Sequence, residues 1–413
     1  MKKYDDLFDK ICTYENFRLA YKNASKGKQH YKEVKLINRN IPKYIRRLLA
    51  EVKEQRYIVS DYDIFKRWTG HKEREIYKLP MKDRIVQHAV MNIIEPIFRE
   101  TFIQDTYSSI KERGIHRGLH RVKRCLNKYH FKYCLKCDVH KCYPSLDQDI
   151  LKAKLAQKFK DKRLLDLLYK IVDSCDKGVP IGNYTSQYFN NFYFSKFDHW
   201  IKEVKRIKGY FRYCDDLVLL GNSKEELRLL YQEIVVEMSK LNVKLKDNYQ
   251  IFSIQDRSID FLGYKIRESH ILLRKYTKEN FISKVKKMDL NNLTEKDINI
   301  LGSYYGILIH GNCRNLWYKY IGVKTFKDLN VSVHERDFIK NIIGKTIVVH
   351  KALIYVRKGE RRIKLTVDYD EKKNILVSTS GECLIEAIEN INRADYPFST
   401  VIDVSDKGYY IFT

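Results

Sequence analysis

A mixed α/β body followed by a smaller β-rich domain is the fold this sequence predicts, on three observations. Phe131 to Val139 is a short apolar run ending on a carboxylate, as a buried strand does when it delivers an acid at its C-terminal end. Gly209 to Leu220 is apolar on both sides of an Asp-Asp pair, which suits a hairpin turning at the acids. Beyond residue 335 the chain reads as three strands, a helix and two strands, the order of a five-stranded OB-type barrel.

The elements follow in order. Leu7, Ile11, Phe17 and Ala20 recur at helical spacing, and the basic turn from Ala24 to Lys28 breaks the pattern. Residues 40–56 read as an amphipathic helix, with Ile41 and Pro42 near its start and Arg46, Arg47 and Lys53 on its exposed side. Short alternating segments around a Gly70 turn predict a β-hairpin over 57–80. Helix is expected from Asp83 to about Phe98, from Ile115 to about Tyr129, and from Asn183 to about Val204. A strand, helix, hairpin order fits a mixed α/β catalytic domain. After Gly263 the chain reads as helical through about residue 320. The tail then gives strands at 345–356, 361–370 and 373–378, a helix at 381–391, and strands at 398–404 and 408–412. A boundary is expected between Leu329 and Glu335.

Composition narrows the function. With 413 residues, 44% hydrophobic and 13% aromatic, the chain can bury a sizeable core and is not a disordered binding tail. Its net charge of +27 answers a polyanion, most simply nucleic acid. Residues 331–413 hold 13 Lys or Arg against 12 Asp or Glu, a net of +1, so +26 falls on residues 1–330. No stretch reads as a basic membrane anchor or an apolar span of ~18 residues, and a soluble, cytoplasmic protein is expected. Nine scattered cysteines, with Cys134 and Cys137 a lone CxxC, read as buried thiols rather than a zinc site or disulfide framework. His116 and His120 have i, i+4 spacing, but no acidic base is placed for zinc hydrolysis, and His310 reads as a packing or RNA-contacting residue.

Three acids carry the chemistry. Phosphoryl transfer to a growing strand needs charge neutralisation more than covalent help, and two divalent ions roughly 3.5–4 Å apart supply it. Magnesium binds a few carboxylates and keeps water and phosphate oxygens for the rest of its octahedron. Asp138 at a strand end, facing Asp215 and Asp216 on a hairpin 77 residues later, has the form of such a cage. Adjacent carboxylates flanked by strand-forming apolar residues repel each other unless a cation answers them.

These residues resemble a known family. Tyr213-Cys214-Asp215-Asp216 looks like the aromatic-x-Asp-Asp signature of reverse transcriptases, and the segment from Asp138 to Asp147 looks like their first catalytic motif. Gly178 to Gln187 resembles the motif against template and incoming nucleotide, and Phe261-Leu262-Gly263-Tyr264 resembles the primer grip. Together these motifs cover roughly residues 70–265. The resemblance implies a right-hand polymerase: residues 1–70 an N-terminal helical extension and start of fingers, 71–265 fingers and palm, 266–330 a helical thumb, and 335–413 the additional β-rich domain. It implies RNA-directed DNA polymerase activity with two Mg2+ ions, Mn2+ being a substitute. Asp138, Asp215 and Asp216 would be catalytic, with Val139 counted among the metal-holding positions. Template RNA, nascent cDNA and deoxynucleoside triphosphates would be its partners.

Further positions follow by matching. Tyr143 sits where the family carries an aromatic gate that fills the space of a 2′-hydroxyl. Lys72, Arg74 and Arg84 resemble the fingers segment that holds the triphosphate, a task suited to the planar fork of Arg. Ile181, Gly182 and Gln187 belong to the nucleotide side, with Lys246 as general acid near the pyrophosphate and Lys244 its competitor. Ser186, Asn190, Tyr213, Phe261, Leu262 and Gly263 are the expected primer or template contacts.

The third motif separates subtypes. Ile181-Gly182 followed by Ser186-Gln187, with residues 15–28, 95–122 and 303–316, resembles the enzymes of diversity-generating retroelements, which imply error-prone copying and a small basic accessory protein. Phage-defence-associated and retron-like reverse transcriptases are the alternative within the class, and a non-catalytic RNA-binding protein the alternative outside it. In the tail, Tyr355, Lys358, Arg361, Arg362 and Lys364 would form a single-strand surface, with Tyr369, Tyr396, Tyr409 and Tyr410 for stacking; protein docking is the competing role.

Overall fold

The computed structural model describes residues 3–69, 72–290, 293–322, 336–337, 346–357, 360–369, 372–379, 382–390, 397–404 and 410–412. Contacts divide the chain into two compact units, residues 1–278 with 310–312 and residues 279–309 with 313–413.

In the first unit the N-terminal periodicity resolves into short capped helices. The Thr13 side chain accepts from Asn16 N to start the helix Tyr14–Ala24, and Asn40 accepts from Lys43 N to start Ile41–Lys53, with Pro42 in its first turn. Their apolar faces, Phe17 and Ala20 on one and Ile45, Leu48 and Val52 on the other, are buried. Each large apolar side chain removed from water in this way stabilises the fold by about 1.5–3 kcal/mol. The expected hairpin is present as β1 (Asp63–Thr69) against β2 (Lys72–Lys78), and its Gly70 turn lies outside the described residues. The long helix Met81–Thr101 follows.

The central sheet is antiparallel, in the order β4-β5-β3-β6, from β3 (Tyr133–Asp138), β4 (Gly209–Tyr213), β5 (Asp216–Gly221) and β6 (Gln250–Ser253). The aromatic helix Tyr184–His199 continues into a π-helical turn, Trp200–Val204, so the expected helix is real and its last turn is widened. Phe189, Phe192, Tyr193, Phe194 and Phe197 are all buried, which fits a helix enclosed nearly all round. Three further helices, Gln148–Lys158, Lys162–Val172 and Lys224–Ser239, are capped by the side chains of Asp147, Asp161 and Ser223.

The chain does not turn helical directly after Gly263. A meander of β7 (Ile259–Phe261), β8 (Tyr264–Ile266) and β9 (Ile271–Leu273) comes first. Leu262 and Gly263, at φ 55° and 87°, make the two-residue turn that hairpins favour. Helix begins only at Lys275 and runs in three pieces, Lys275–Val285, Glu295–Leu308 and Arg314–Ile321. In the second unit the Phe281 and Trp317 rings stack at 6.1 Å.

The C-terminal strands are β10 (Arg336–Asp337), β11 (Thr346–Arg357), β12 (Glu360–Tyr369), β13 (Lys372–Thr379), β14 (Phe398–Val404) and β15 (Tyr410–Phe412), with the helix Glu382–Glu389 between β13 and β14. From β11 onward strand and helix order match the expectation, and β10 is an additional strand. The sheet runs β10-β13-β12-β11-β14-β15, with β11 pairing both β12 and β14. Among the described residues no pairing joins β13 to β15; β10 lies parallel on the β13 edge, so the described sheet is open where a barrel would close. Lys358, Tyr396, Tyr409, the Leu329–Glu335 boundary, and the side chains of Tyr355, Arg361, Arg362, Lys364, Tyr369 and Tyr410 lie outside the described residues. No disulfide links the described cysteines, and no described helix is long and apolar enough to cross a membrane.

Candidate active site

Strand register gathers the acids. Asp138, last in β3, lies directly across from Asp216, first in β5, and Asp216 in turn pairs with Tyr213 of β4. Side chains so opposed on neighbouring strands have Cβ atoms about 4.5–5.5 Å apart. Cys214 and Asp215 form the tight turn, and Cys214 adopts φ 56°, a left-handed conformation that costs about 1–2 kcal/mol without glycine. Val139 N donates to Asp215 O at 2.9 Å, which ties the turn to β3. Lys246 N donates to Asp138 O and His140 N to Lys244 O, both at 2.8 Å, so Lys244 and Lys246 flank the same edge.

Two lysines meet the acids. Lys136 Nζ donates to Asp216 Oδ2 at 3.1 Å and also to the carbonyl of Asp260. Lys246 Nζ lies 3.7 Å from Asp138 Oδ1. Burial pushes the Asp216 carboxyl up to about 6; the charges of Asp138 and Asp215 add to the rise, and Lys136 opposes it. Asp216 Oδ1 is buried with no hydrogen-bond partner, an arrangement that is costly unless a cation meets the oxygen. Three carboxylates on one sheet edge, one with an unmet oxygen, are a hard all-oxygen donor set that fits Mg2+ or Mn2+. Among the described residues no three His, Cys, Asp or Glu side chains are already gathered as a metal-ligand set.

The doublet is held from beneath by residues that sequence reading missed. Arg212 and Asp198 are both fully buried, with Arg212 Nη2 to Asp198 Oδ2 at 2.5 Å and Nε to Oδ1 at 2.8 Å. Tyr210 and Thr106 donate their hydroxyls to the same carboxylate, and Arg212 Nη1 donates to Cys214 O at 3.1 Å. On the other side the Cys142 thiol donates to Asn190 Oδ1 at 2.9 Å, and Asn190 Nδ2 donates to Cys214 Sγ at 3.5 Å. A visible signal existed for Arg212 and Lys136: each is a cation inside an apolar strand.

The other expected positions divide. Tyr143 is half-buried beside the turn, and burial with the neighbouring Cys214 thiol raises its hydroxyl above the ordinary range. Its carbonyl accepts from Val179 N, and a Cβ on Gly178 would stand 2.2 Å from that carbonyl oxygen, so only glycine fits there. Ile181 O accepts from Tyr77 N at 2.8 Å, docking the loop of Ile181 and Gly182 on β2. Arg74, Gly182 and Gln187 are exposed, Gly263 and Tyr213 half-buried, and the Lys72 side chain lies outside the described residues. Arg84 Nε donates to Leu79 O. No hydrogen bond or ion pair joins Arg74, Arg84 or Gln187 to the acids among the described residues. Ser186, Asn190, Phe261 and Leu262 lie beneath the surface. Asn190 is engaged with the two thiols, and Leu262 packs over Gly118. His116 stacks on His310 at 3.6 Å, so these histidines pack together.

Residues 67–266 match the family model described as reverse transcriptase (RNA-dependent DNA polymerase), and residues 335–413 match a domain of unknown function (DUF8468). The retron Ec73 reverse transcriptase of Escherichia coli is 25% identical over 261 residues, covering 59% of this chain and 80% of that one. Protein YkfC of Escherichia coli K12 is 24% identical over 45% of this chain and 61% of its own length. The group II intron-encoded protein LtrA of Lactococcus lactis is 21% identical over 52% of this chain, which spans 47% of it. Among solved structures, apo telomerase from Candida tropicalis is similar at a TM-score of 0.44 and 13% identity, over 60% of this chain and 52% of that one. Residues 67–266 are a reverse transcriptase domain, with homologues among bacterial retron and group II intron proteins.

Proposed function

We propose that the chain is an RNA-directed DNA polymerase that extends a primer along an RNA template into cDNA. The observation that supports it best is the register of Asp138 against Asp216, with Asp215 in the adjoining turn and Asp216 Oδ1 unmet. Asp138, Asp215 and Asp216, with the backbone at Val139, would hold the metal ions. Mg2+ ions held there would supply Lewis-acid activation of a 3′-hydroxyl and charge neutralisation at the pyrophosphate. The residues of the chain do the rest. Tyr143 excludes a 2′-hydroxyl, Arg74, Arg84 and Lys72 orient the triphosphate, and Lys246 Nζ gives a proton to the leaving pyrophosphate. Asn190 and Leu262 act as supports beneath the strand path. Primer extension on an RNA template with Mg2+ tests the reading: wild type extends, and Asp215→Asn loses at least a hundredfold in rate. Binding of template without extension in any divalent metal would favour a non-catalytic RNA-binding protein.

The finer reading is the error-prone enzyme of a diversity-generating retroelement, supported by Ile181 where a polar residue is usual in related enzymes. Ile181 gives its carbonyl to Tyr77 N, and its side chain has no polar atom to offer a base. Ile181→Gln should then lower misincorporation opposite template adenine, as read by sequencing the cDNA; equal error in both proteins would remove this reading. The length of the retron enzyme that the chain covers supports a retron-like role instead, and the cDNA sequences made in cells separate the two.

A further inference from the structure

We propose that a cavity between the helices Met81–Thr101, Gln148–Lys158 and Tyr184–His199 binds a nucleoside 5′-phosphate, either free or as the terminal nucleotide of a strand. The cavity measures about 330 Å3 and is walled by Lys154, Lys158, Lys196, Gln157 and Phe192, with Glu100 its one acidic lining residue. That volume is at the small end of the range of about 300–1,000 Å3 seen for small-molecule sites.

Charge and shape name the ligand class. Lys154 is only 8% exposed; its Nζ donates to Tyr193 O at 2.8 Å and lies over the Tyr193 ring, and among the described residues no carboxylate is ion-paired with it. Burial, with the Lys196 cation beside it, pushes Lys154 down to about 8. Lys196 donates to the neutral Gln157 side chain at 2.7 Å, and among the described residues no carboxylate is ion-paired with it. Glu100 already takes the Tyr4 hydroxyl at 2.5 Å. A phosphate group carrying about −1.5 to −2 charge is the kind of anion two such ammonium groups await. The space exceeds what phosphate alone fills, and Phe192 with the lysine stems gives the apolar wall against which a base lies.

The cavity is separate from the acids. Along a helix residues turn about 100° each, which places Phe192, Ser195, Lys196 and His199 roughly 140–240° around the axis from Asn190. Asn190 touches Cys214 beside the acidic doublet, so the cavity lines the opposite face of the same helix. Binding there does not depend on polymerase activity.

The test uses the full chain and saturation-transfer NMR or calorimetry with deoxyadenosine 5′-monophosphate, deoxyadenosine, inorganic phosphate, and a tetranucleotide with or without a 5′-phosphate. The monophosphate should bind at least tenfold more tightly than deoxyadenosine or phosphate. Lys154→Met and the exposed Lys196→Glu should each weaken it at least tenfold, whereas Asp215→Asn should leave it unchanged. A 5′-phosphorylated tetranucleotide that binds as tightly as the monophosphate marks a strand end as the natural occupant; one that binds tenfold more weakly marks a free nucleotide. Either result supports the site. Absent binding, binding unmoved by both lysine substitutions, or binding lost in Asp215→Asn would overturn it.

Discussion

Arg212 and Asp198 are fully buried and hold the acidic turn through the carbonyl of Cys214, so their pairing serves both stability and alignment. Arg212→Met leaves Asp198 an uncompensated buried charge, and breaking such a pair costs about 3–5 kcal/mol; urea unfolding should show a loss of that size. Arg212→Lys keeps the charge but not the planar fork that reaches Asp198, Asn191 and Cys214 O together. Primer extension by that variant should fall at least tenfold with most of the stability retained, and a rate that merely tracks stability would refute the positioning role. Gly182→Ala is a second residue-scale case. Its Cβ would stand 2.2 Å from Tyr77 O at φ +133°, so the loop must leave β2, and extension should fall at least tenfold. At this scale the acids were legible because an Asp pair among apolar neighbours has no cheap structural explanation. Arg212 and Lys136 showed the same anomaly, but one strand read alone does not reveal that Asp198, 14 residues earlier on a helix, is the partner.

Elements were legible where one period ran long enough. The helix Ile115–Tyr129 was bounded correctly, since Leu119, Val122 and Leu126 keep helical spacing and His130 ends it in the left-handed conformation. The strands β7, β8 and β9, three residues each, are too short for alternation to register. The helix Gln148–Lys158 was hidden for a different reason: Lys154 and Lys158 are buried, so its apolar stripe is interrupted by the residues that wall the cavity. That interruption has an energetic consequence. Lys154 sits near 8 against an ordinary 10.5. Below about pH 8 both folded and unfolded chains hold the proton and the burial penalty is complete; between about 8 and 10.5 only the unfolded chain holds it, so stability rises with pH. Replacing the ammonium by a methionine of similar length should stabilise the protein at pH 7 by about 1–3 kcal/mol and flatten the rise above pH 8. Denaturant unfolding of Lys154→Met at pH 7 and pH 9.5 checks both, and a destabilised variant with the rise intact would show the lysine to be structurally satisfied.

For the whole molecule, charge is distributed so that template binding and the C-terminal domain separate experimentally. Residues 1–330 carry +26 and residues 331–413 only +1. Arg117, Arg124 and Lys128 form one exposed stripe along the helix Ile115–Tyr129, spaced by seven and four residues, and among the described residues none of them is ion-paired. Each phosphate contact on a single strand contributes about 0.7 to the slope of log affinity against log salt, through release of counterions. Changing all three residues to glutamine in the full chain should therefore lower that slope by about 2 and weaken RNA binding most at low salt. The matching triple at Arg361, Arg362 and Lys364 removes equal charge from a region whose acids nearly balance it, and the slope there should move by less than about 0.5. Fluorescence anisotropy of a labelled RNA across a salt series reads both changes. Were the second triple to carry the larger loss, the electrostatic footprint would belong to the C-terminal domain, and the basic body would have to act on its template by stacking and shape instead.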